Sequence, residues 1–222
     1  MRVVFDLDGT LVDSTPDLLA AINHVLKAHG LAPSDREENL RYAGHGLTWM
    51  FERTVTLRVG ASAEDEQKRL VLEMGERYRA HPATLSRPFD GVVAMLTALQ
   101  ERGIDLCVIS NKPSDLSQRI LSQLFPTITF YKIFGPDSGN PPKPDPTSLQ
   151  RCREGMGEGE MLIYVGDTEI DHQTGVGTAD RVFLAVWGYR GRDALQAMGF
   201  DESHLLDEPM DLLSIVHTKG ER

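Results

Sequence analysis

The sequence predicts an α/β fold in which a parallel sheet is interrupted after its first strand by an inserted all-helical domain. Three observations carry this. From residue 86 onward, short apolar runs alternate with helical patterns, which is how parallel strands joined by right-handed crossovers read. One further apolar run, Arg2 to Phe5, stands alone near the start. Between them, residues 15–85 carry helical periodicity and no strand signal. The expected division is residues 1–14 with 86–222 as the α/β core and 15–85 as the helical insert.

Taken in order, Arg2 to Phe5 is β-branched and aromatic and reads as a buried strand, ended by the Gly9 turn. Ser14-Thr15-Pro16 is a cap-then-proline start for a helix whose apolar face is Leu18, Leu19, Ile22, Val25 and Leu26, and Gly30 is its stop. Ser34 with Glu37 has the spacing of a capping box, and Gly44-His45-Gly46 breaks the helix that follows. Further helices are expected near Leu47–Val59 and Ser62–Ala80. In the core, a helix from Gly91 to Arg102 leads to a strand over Ile104–Ile109, and Ser114–Leu124 is helical. Ile133-Phe134 is a short weak strand, and a Pro-rich loop from Asn140 to Pro146 precedes another helix. Met161–Val165 and Arg181–Val186 are the remaining strands; beyond Trp187 the pattern is ambiguous.

The chain has 222 residues, with 23 Lys+Arg against 33 Asp+Glu and a formal net charge of −10. Such an excess of acid disfavours nucleic acid or an anionic membrane as a partner held by bulk charge. An anionic substrate would need a metal ion or a few placed cations to reverse the field locally. No apolar run is long enough to span a membrane and no signal-peptide pattern opens the chain, so a cytoplasmic protein is expected. The two cysteines, Cys107 and Cys152, read as structural thiols of a reducing compartment.

Polar residues gather just after strands: Asp6 and Asp8 after the first, Ser110 after the second, Asp167 after Met161–Val165. In open parallel sheets those carboxyl ends line the ligand crevice. Alternate residues of an extended chain share a face about 6.5–7 Å apart, so Asp6 and Asp8 suit a division between nucleophile and acid/base. Taken alone, Asp-x-Asp is more often a solvated turn. Asp167 and Asp171, four apart, would share one side of a helix start; hard carboxylate oxygens suit Mg²⁺, although acids at a helix N-terminus are also common. Lys143, flanked by prolines, could point one ammonium inward, while an isolated loop lysine is ordinarily a surface residue. Four carboxylates brought together resist ionisation, and a divalent cation with one lysine would relieve that while admitting a phosphoryl group.

These segments resemble the haloacid dehalogenase superfamily, in particular its phosphoglycolate phosphatase-like branch with a helical cap over a Rossmann-like core. The resemblance rests on Phe5 to Ser14, Ile109-Ser110-Asn111-Lys112, Lys143-Pro144-Asp145-Pro146 and Val165 to Asp171, in that order, with Gly44-His45-Gly46-Leu47 and Trp187 to Gly191 in support. It implies that Asp6 is the nucleophile forming an aspartyl-phosphate and that Asp8 is the acid/base. It further implies that Ser110, Asn111 and Lys143 hold the phosphoryl group. Mg²⁺ would be held by Asp6, Asp167 and the Asp8 carbonyl, with Asp171 in support. Arg41 and His45, with Arg53 nearby, are the expected cap contacts to the rest of the substrate. The glycines of His172 to Asp180, where relatives are Ala-rich, weaken that helix and leave Asp171 less firmly placed than Asp167.

The expected activity is Mg²⁺-dependent hydrolysis of a small phosphate ester, 2-phosphoglycolate first, by a monomer or homodimer. A sugar phosphomutase would use the same motifs. A non-enzymatic phospho-acceptor module needs neither the Asp6/Asp8 spacing nor a helical insert.

Overall fold

The computed structural model describes residues 1–216; the remainder of the expected core segment, 217–222, lies outside the described residues. The chain opens with β1 (Arg2–Phe5) and β2 (Val12–Asp13). Four helices follow: α1 (Thr15–Ala28), α2 (Arg36–Leu40), α3 (Leu47–Val59) and α4 (Glu64–Ala80). Next come β3 (Arg87–Pro88), α5 (Val92–Glu101), β4 (Asp105–Ile109), α6 (Ser114–Leu124), β5 (Lys132–Phe134), α7 (Thr147–Arg153) and β6 (Leu162–Gly166). The last elements are α8 (Glu169–Gly175), β7 (Arg181–Ala185), α9 (Gly191–Ala197), β8 (Leu205–Leu206) and α10 (Leu212–Ile215).

Six strands form one sheet in the order β5-β4-β1-β6-β7-β8, every neighbouring pair parallel. The expected α/β class and the run of helices between the first strand and the rest are therefore both present. A parallel sheet covered on both faces needs strands that are apolar throughout, and β1 and β6 are buried at every position. Alternation splits them between two layers. Val3, Phe5, Val108, Ile163 and Val165 pack with α5 on one face. Val4, Cys107, Ile109, Leu162 and Tyr164 pack with Leu149 and Cys152 of α7 on the other. Both cysteines are unpaired and buried there.

The helical insert joins the core through a two-strand antiparallel ribbon, Val12 opposite Pro88 and Asp13 opposite Arg87. Two-residue strands leave no pattern in a sequence, and periodicity reveals neither this pair nor β8, nor α9 and α10 beyond Trp187. Buried Asp17, in the first turn of α1, fastens the same neck: its carboxylate accepts from the Leu85 and Ser86 amides and the Ser86 hydroxyl. Within the insert, Leu18, Ile22 and Val25 of α1 meet Leu70, Met74 and Tyr78 of α4 in a cluster continuous with the first sheet layer.

Two expected caps are corrected. Ser14 precedes α1 in helical conformation and makes no side-chain cap bond; its hydroxyl donates to Asp8 instead. Asp35, not Ser34, caps α2 by accepting from the Glu38 amide, while Ser34 is drawn inward to Asn23 and Asn39. Gly30 stops α1 as expected, with a positive φ of 67°.

Candidate active site

β1, β4 and β6 are adjacent, so their carboxyl ends carry Asp6, Ser110 and Asp167 to one place. Lys143 arrives from the loop before α7, and Asp171 from the first turn of α8. Buried carboxylate oxygens of Asp6, Asp167 and Asp171 all lie within 4.8 Å of one another. Lys143 is 3% exposed and bridges them, its Nζ 2.6 Å from Asp6 Oδ1 and 2.6 Å from Asp171 Oδ1.

Asp171 is fixed more firmly than its glycine-bearing helix suggests. Its Oδ1 accepts from Lys143 and the Tyr164 hydroxyl; its Oδ2 accepts from the amides of Asp167 and Thr168 and from the Thr168 hydroxyl. The helix is short, and its last residue, Gly175, is a glycine for a packing reason: a Cβ there would stand 2.5 Å from Val182 Cγ2. Asp167 has fewer partners, Thr10 Oγ1 and the Tyr189 amide. The backbones of Gly9 and Gly188 pack directly against it, since a Cβ on either would come within 2.3 Å of its side chain.

The electrostatics follow from burial. Desolvation lifts the Asp6 carboxyl to about 7, with Lys143 opposing and Asp171 and Asp8 adding to the rise. Asp167 is pushed well above the ordinary carboxylate range by burial and by Asp171 and Asp6. Burial pushes Asp171 the same way, but Lys143 and its hydrogen bonds outweigh it and hold it below its ordinary value. Burial would neutralise Lys143, yet Asp171 and Asp6 keep it above the usual lysine value. One lysine among three buried carboxylates leaves excess negative charge in a set of hard oxygen donors, and this fits a divalent cation of the Mg²⁺ type.

Around this centre lies a cavity of about 40 Å³, with Asp6, Asp8, Ser110, Asn111, Lys112 and Lys143 on the sheet side. The Ser110 hydroxyl accepts from the Lys112 amide and keeps its own proton available. Asn111 also lines the cavity, and its side chain has structural partners of its own. Its side chain accepts from the Lys143 amide and donates to the carbonyls of Lys143 and Gly44, so it spans the lysine loop and the insert.

The insert roofs the cavity with Leu18, Tyr42, Ala43, Gly44, Gly46, Leu47 and Met50. Gly44 and Gly46 permit this approach: a Cβ on Gly46 would reach 3.0 Å from the Asn111 carbonyl oxygen, and both have positive φ. Arg41 and His45, the expected cap contacts, do not line it. Arg41 is exposed and pairs with Glu37 on its own helix at 2.6 Å. His45 packs on Trp49 at 4.4 Å between ring centroids and lines a neighbouring groove, and the Arg53 guanidinium lies 4.9 Å from the centre of the same indole. We expect Arg41→Ala to leave kcat/KM within twofold on every substrate. Met50→Ala or Leu47→Ala should change it by about tenfold on some substrates and little on others, because they alter contacts to the variable part of the ligand. Steady-state kinetics on three substrates of different size check this.

Periodicity also missed Lys112, Tyr78 and Tyr189. Lys112 is buried with its Nζ 2.6 Å from Asp8 Oδ1. The segment from Trp187 to Gly191 closes the opposite wall: Trp187 Nε1 donates to the Thr10 carbonyl, and Arg190 pairs with Glu169 while donating to the Leu40 and Ala43 carbonyls of the insert.

The family model for haloacid dehalogenase-like hydrolases matches residues 3–184. A phosphoglycolate phosphatase of Cereibacter sphaeroides is 37% identical over 188 residues, covering 85% of this chain and 86% of its own. An N-acetylmuramic acid 6-phosphate phosphatase of Pseudomonas aeruginosa is 30% identical, covering 96% and 93%. The crystal structure of a predicted phosphoglycolate phosphatase from Haemophilus somnus superposes with a TM-score of 0.84 at 27% identity, covering 97% of each chain. A model match across most of the chain, together with relatives at this identity, places the protein in the haloacid dehalogenase-like hydrolase family.

Proposed function

We propose that the chain is a Mg²⁺-dependent phosphatase acting on a small phosphate ester, with 2-phosphoglycolate the first substrate to test. The observation that carries this is the buried set of Asp6, Asp167 and Asp171 around Lys143, beside Asp8 and beneath a small roofed cavity. The phosphoglycolate phosphatases among the relatives support the choice of substrate.

Lys143 and the Ser110 hydroxyl hold the phosphoryl oxygens, leaving the phosphorus in line with Asp6. An Asp6 oxygen attacks phosphorus, the ester P–O bond breaks, and Asp8 gives its proton to the departing alkoxide. Asp8, now a carboxylate, takes a proton from water as that water attacks the aspartyl-phosphate. Inorganic phosphate leaves and Asp6 is restored. Mg²⁺, when bound by Asp6, Asp167 and the Asp8 carbonyl with Asp171 in support, would supply the positive charge that neutralises the phosphoryl oxygens. Residues 15–85 act as a cap that excludes water and shapes substrate choice.

Hydrolysis rather than mutase chemistry is favoured by the roof. No Lys or Arg of the insert lines the cavity, whereas a mutase must also hold a second phosphate. The test is phosphate release across 2-phosphoglycolate, N-acetylmuramic acid 6-phosphate and sugar phosphates, with and without Mg²⁺. Steady release from at least one ester supports the reading. Isomerisation of a sugar phosphate without release refutes it.

A further inference from the structure

Lys112 lines the same cavity as Asp8 and Ser110, and its side chain is 1% exposed. Burying an ammonium is costly, and a buried ion pair is often no more stabilising than apolar residues of the same volume, so its presence calls for a reason beyond stability. The partners supply one. Its Nζ donates to Asp8 Oδ1 at 2.6 Å and to the Tyr78 hydroxyl at 2.7 Å, and sits 5.0 Å from the Tyr78 ring centre. Ser14 Oγ donates to the same Asp8 oxygen, and the Tyr189 hydroxyl lies 3.1 Å from Ser14 Oγ. Asp8 Oδ2 accepts no hydrogen bond from any described residue, although Asp8 lines the cavity.

We propose that Lys112 is a positioning residue for Asp8: with Ser14 it pins Oδ1, so that Oδ2 alone meets the leaving oxygen of the ester. A carboxylate held by neither oxygen can turn about its Cβ–Cγ bond and present the wrong edge. Held at one oxygen by two donors from different elements, it presents the other in a fixed direction, and small displacements of a proton donor are costly to rate. Tyr78, in the last turns of α4, and Tyr189 hold the two donors in turn. This inference rests on the phosphatase reading.

The discriminating variable is the leaving group. kcat/KM reports the steps up to cleavage of the ester bond, where an alkoxide needs a proton and p-nitrophenolate does not. Lys112→Met should lower kcat/KM by ~10²-fold on 2-phosphoglycolate or another alkyl phosphate, the usual scale of one well-placed general acid. On p-nitrophenyl phosphate kcat/KM should stay within about threefold, while kcat falls because water attack still needs Asp8. Tyr78→Phe keeps the lysine and should show the same contrast at about fivefold. It carries the comparison if circular dichroism shows Lys112→Met unfolded. Equal losses of kcat/KM on both kinds of ester, or none on the alkyl ester, would overturn the assignment. A wild-type protein that releases phosphate from neither ester would instead overturn the phosphatase reading beneath it.

Discussion

Asp6→Asn is expected to lower kcat by on the order of 10³ or more while raising the thermal stability of the metal-free protein at pH 8. The substitution keeps the shape of the side chain and removes the attacking oxygen's charge. Lys143, Ser110 and the roof would still bind the ester, so KM should move far less than kcat. The stability gain comes from burial. The Asp6 carboxyl titrates near 7 in the folded chain against an ordinary value of 3.8, so the folded state holds its proton more tightly than the unfolded one. Its contribution to stability is full below about pH 4 and is lost as the pH rises through about 7. At pH 8 the wild type carries a buried charge that the amide does not. Calorimetry without added metal should therefore show Asp6→Asn melting several degrees higher at pH 8, at about 2–4 °C per kcal/mol, with the difference closing at pH 5. A variant of wild-type turnover would remove Asp6 from the chemistry.

The second large effect is metal removal. EDTA should abolish activity, Mg²⁺ should restore it, and Ca²⁺ should restore it poorly, because its looser and larger coordination would displace the attacking carboxylate. Asp167→Ala should raise the Mg²⁺ concentration needed for half activity more than Asp171→Ala. The structure gives the reason: five hydrogen bonds already occupy the Asp171 oxygens, while those of Asp167 have two partners. Asp171→Ala should instead lower kcat and melting temperature together, since it releases Lys143 and strands the buried Tyr164 hydroxyl. Mg²⁺ titrations of activity separate the two variants, and full activity in EDTA would contradict a metal role.

Much of this arrangement is legible in the sequence because strand ends are. Apolar runs that finish in Asp6, Ser110 and Asp167 announce both the sheet and the crevice, and parallel topology brings them together whatever the chain length between. What the sequence conceals is direction and depth. Lys112 reads as one more polar residue after a strand, and nothing in its flanks says that its ammonium lies inside against Asp8. Arg41 reads as a cation beside a glycine loop. Its partner was nevertheless visible in the four-residue spacing from Glu37, which places both on one face of α2, away from the cavity. Gly175 reads as a weak point in a helix and is a close-packing site, because the Val182 side chain that requires it lies on the next strand. The ribbon at the neck of the insert depends on residues 12 and 88 meeting, a long-range pairing without a local signal.

The covalent role of Asp6 can be measured directly. Radiolabelled 2-phosphoglycolate, or whichever ester the phosphate-release screen favours, is mixed with enzyme and Mg²⁺ and quenched in acid within the first turnover. The expected result is label on the protein that hydroxylamine removes, as for an acyl phosphate, that maps to the peptide containing Asp6, and that is absent from Asp6→Asn. Full-rate phosphate release with no label on the wild-type protein, and equal release by Asp6→Asn, would contradict it.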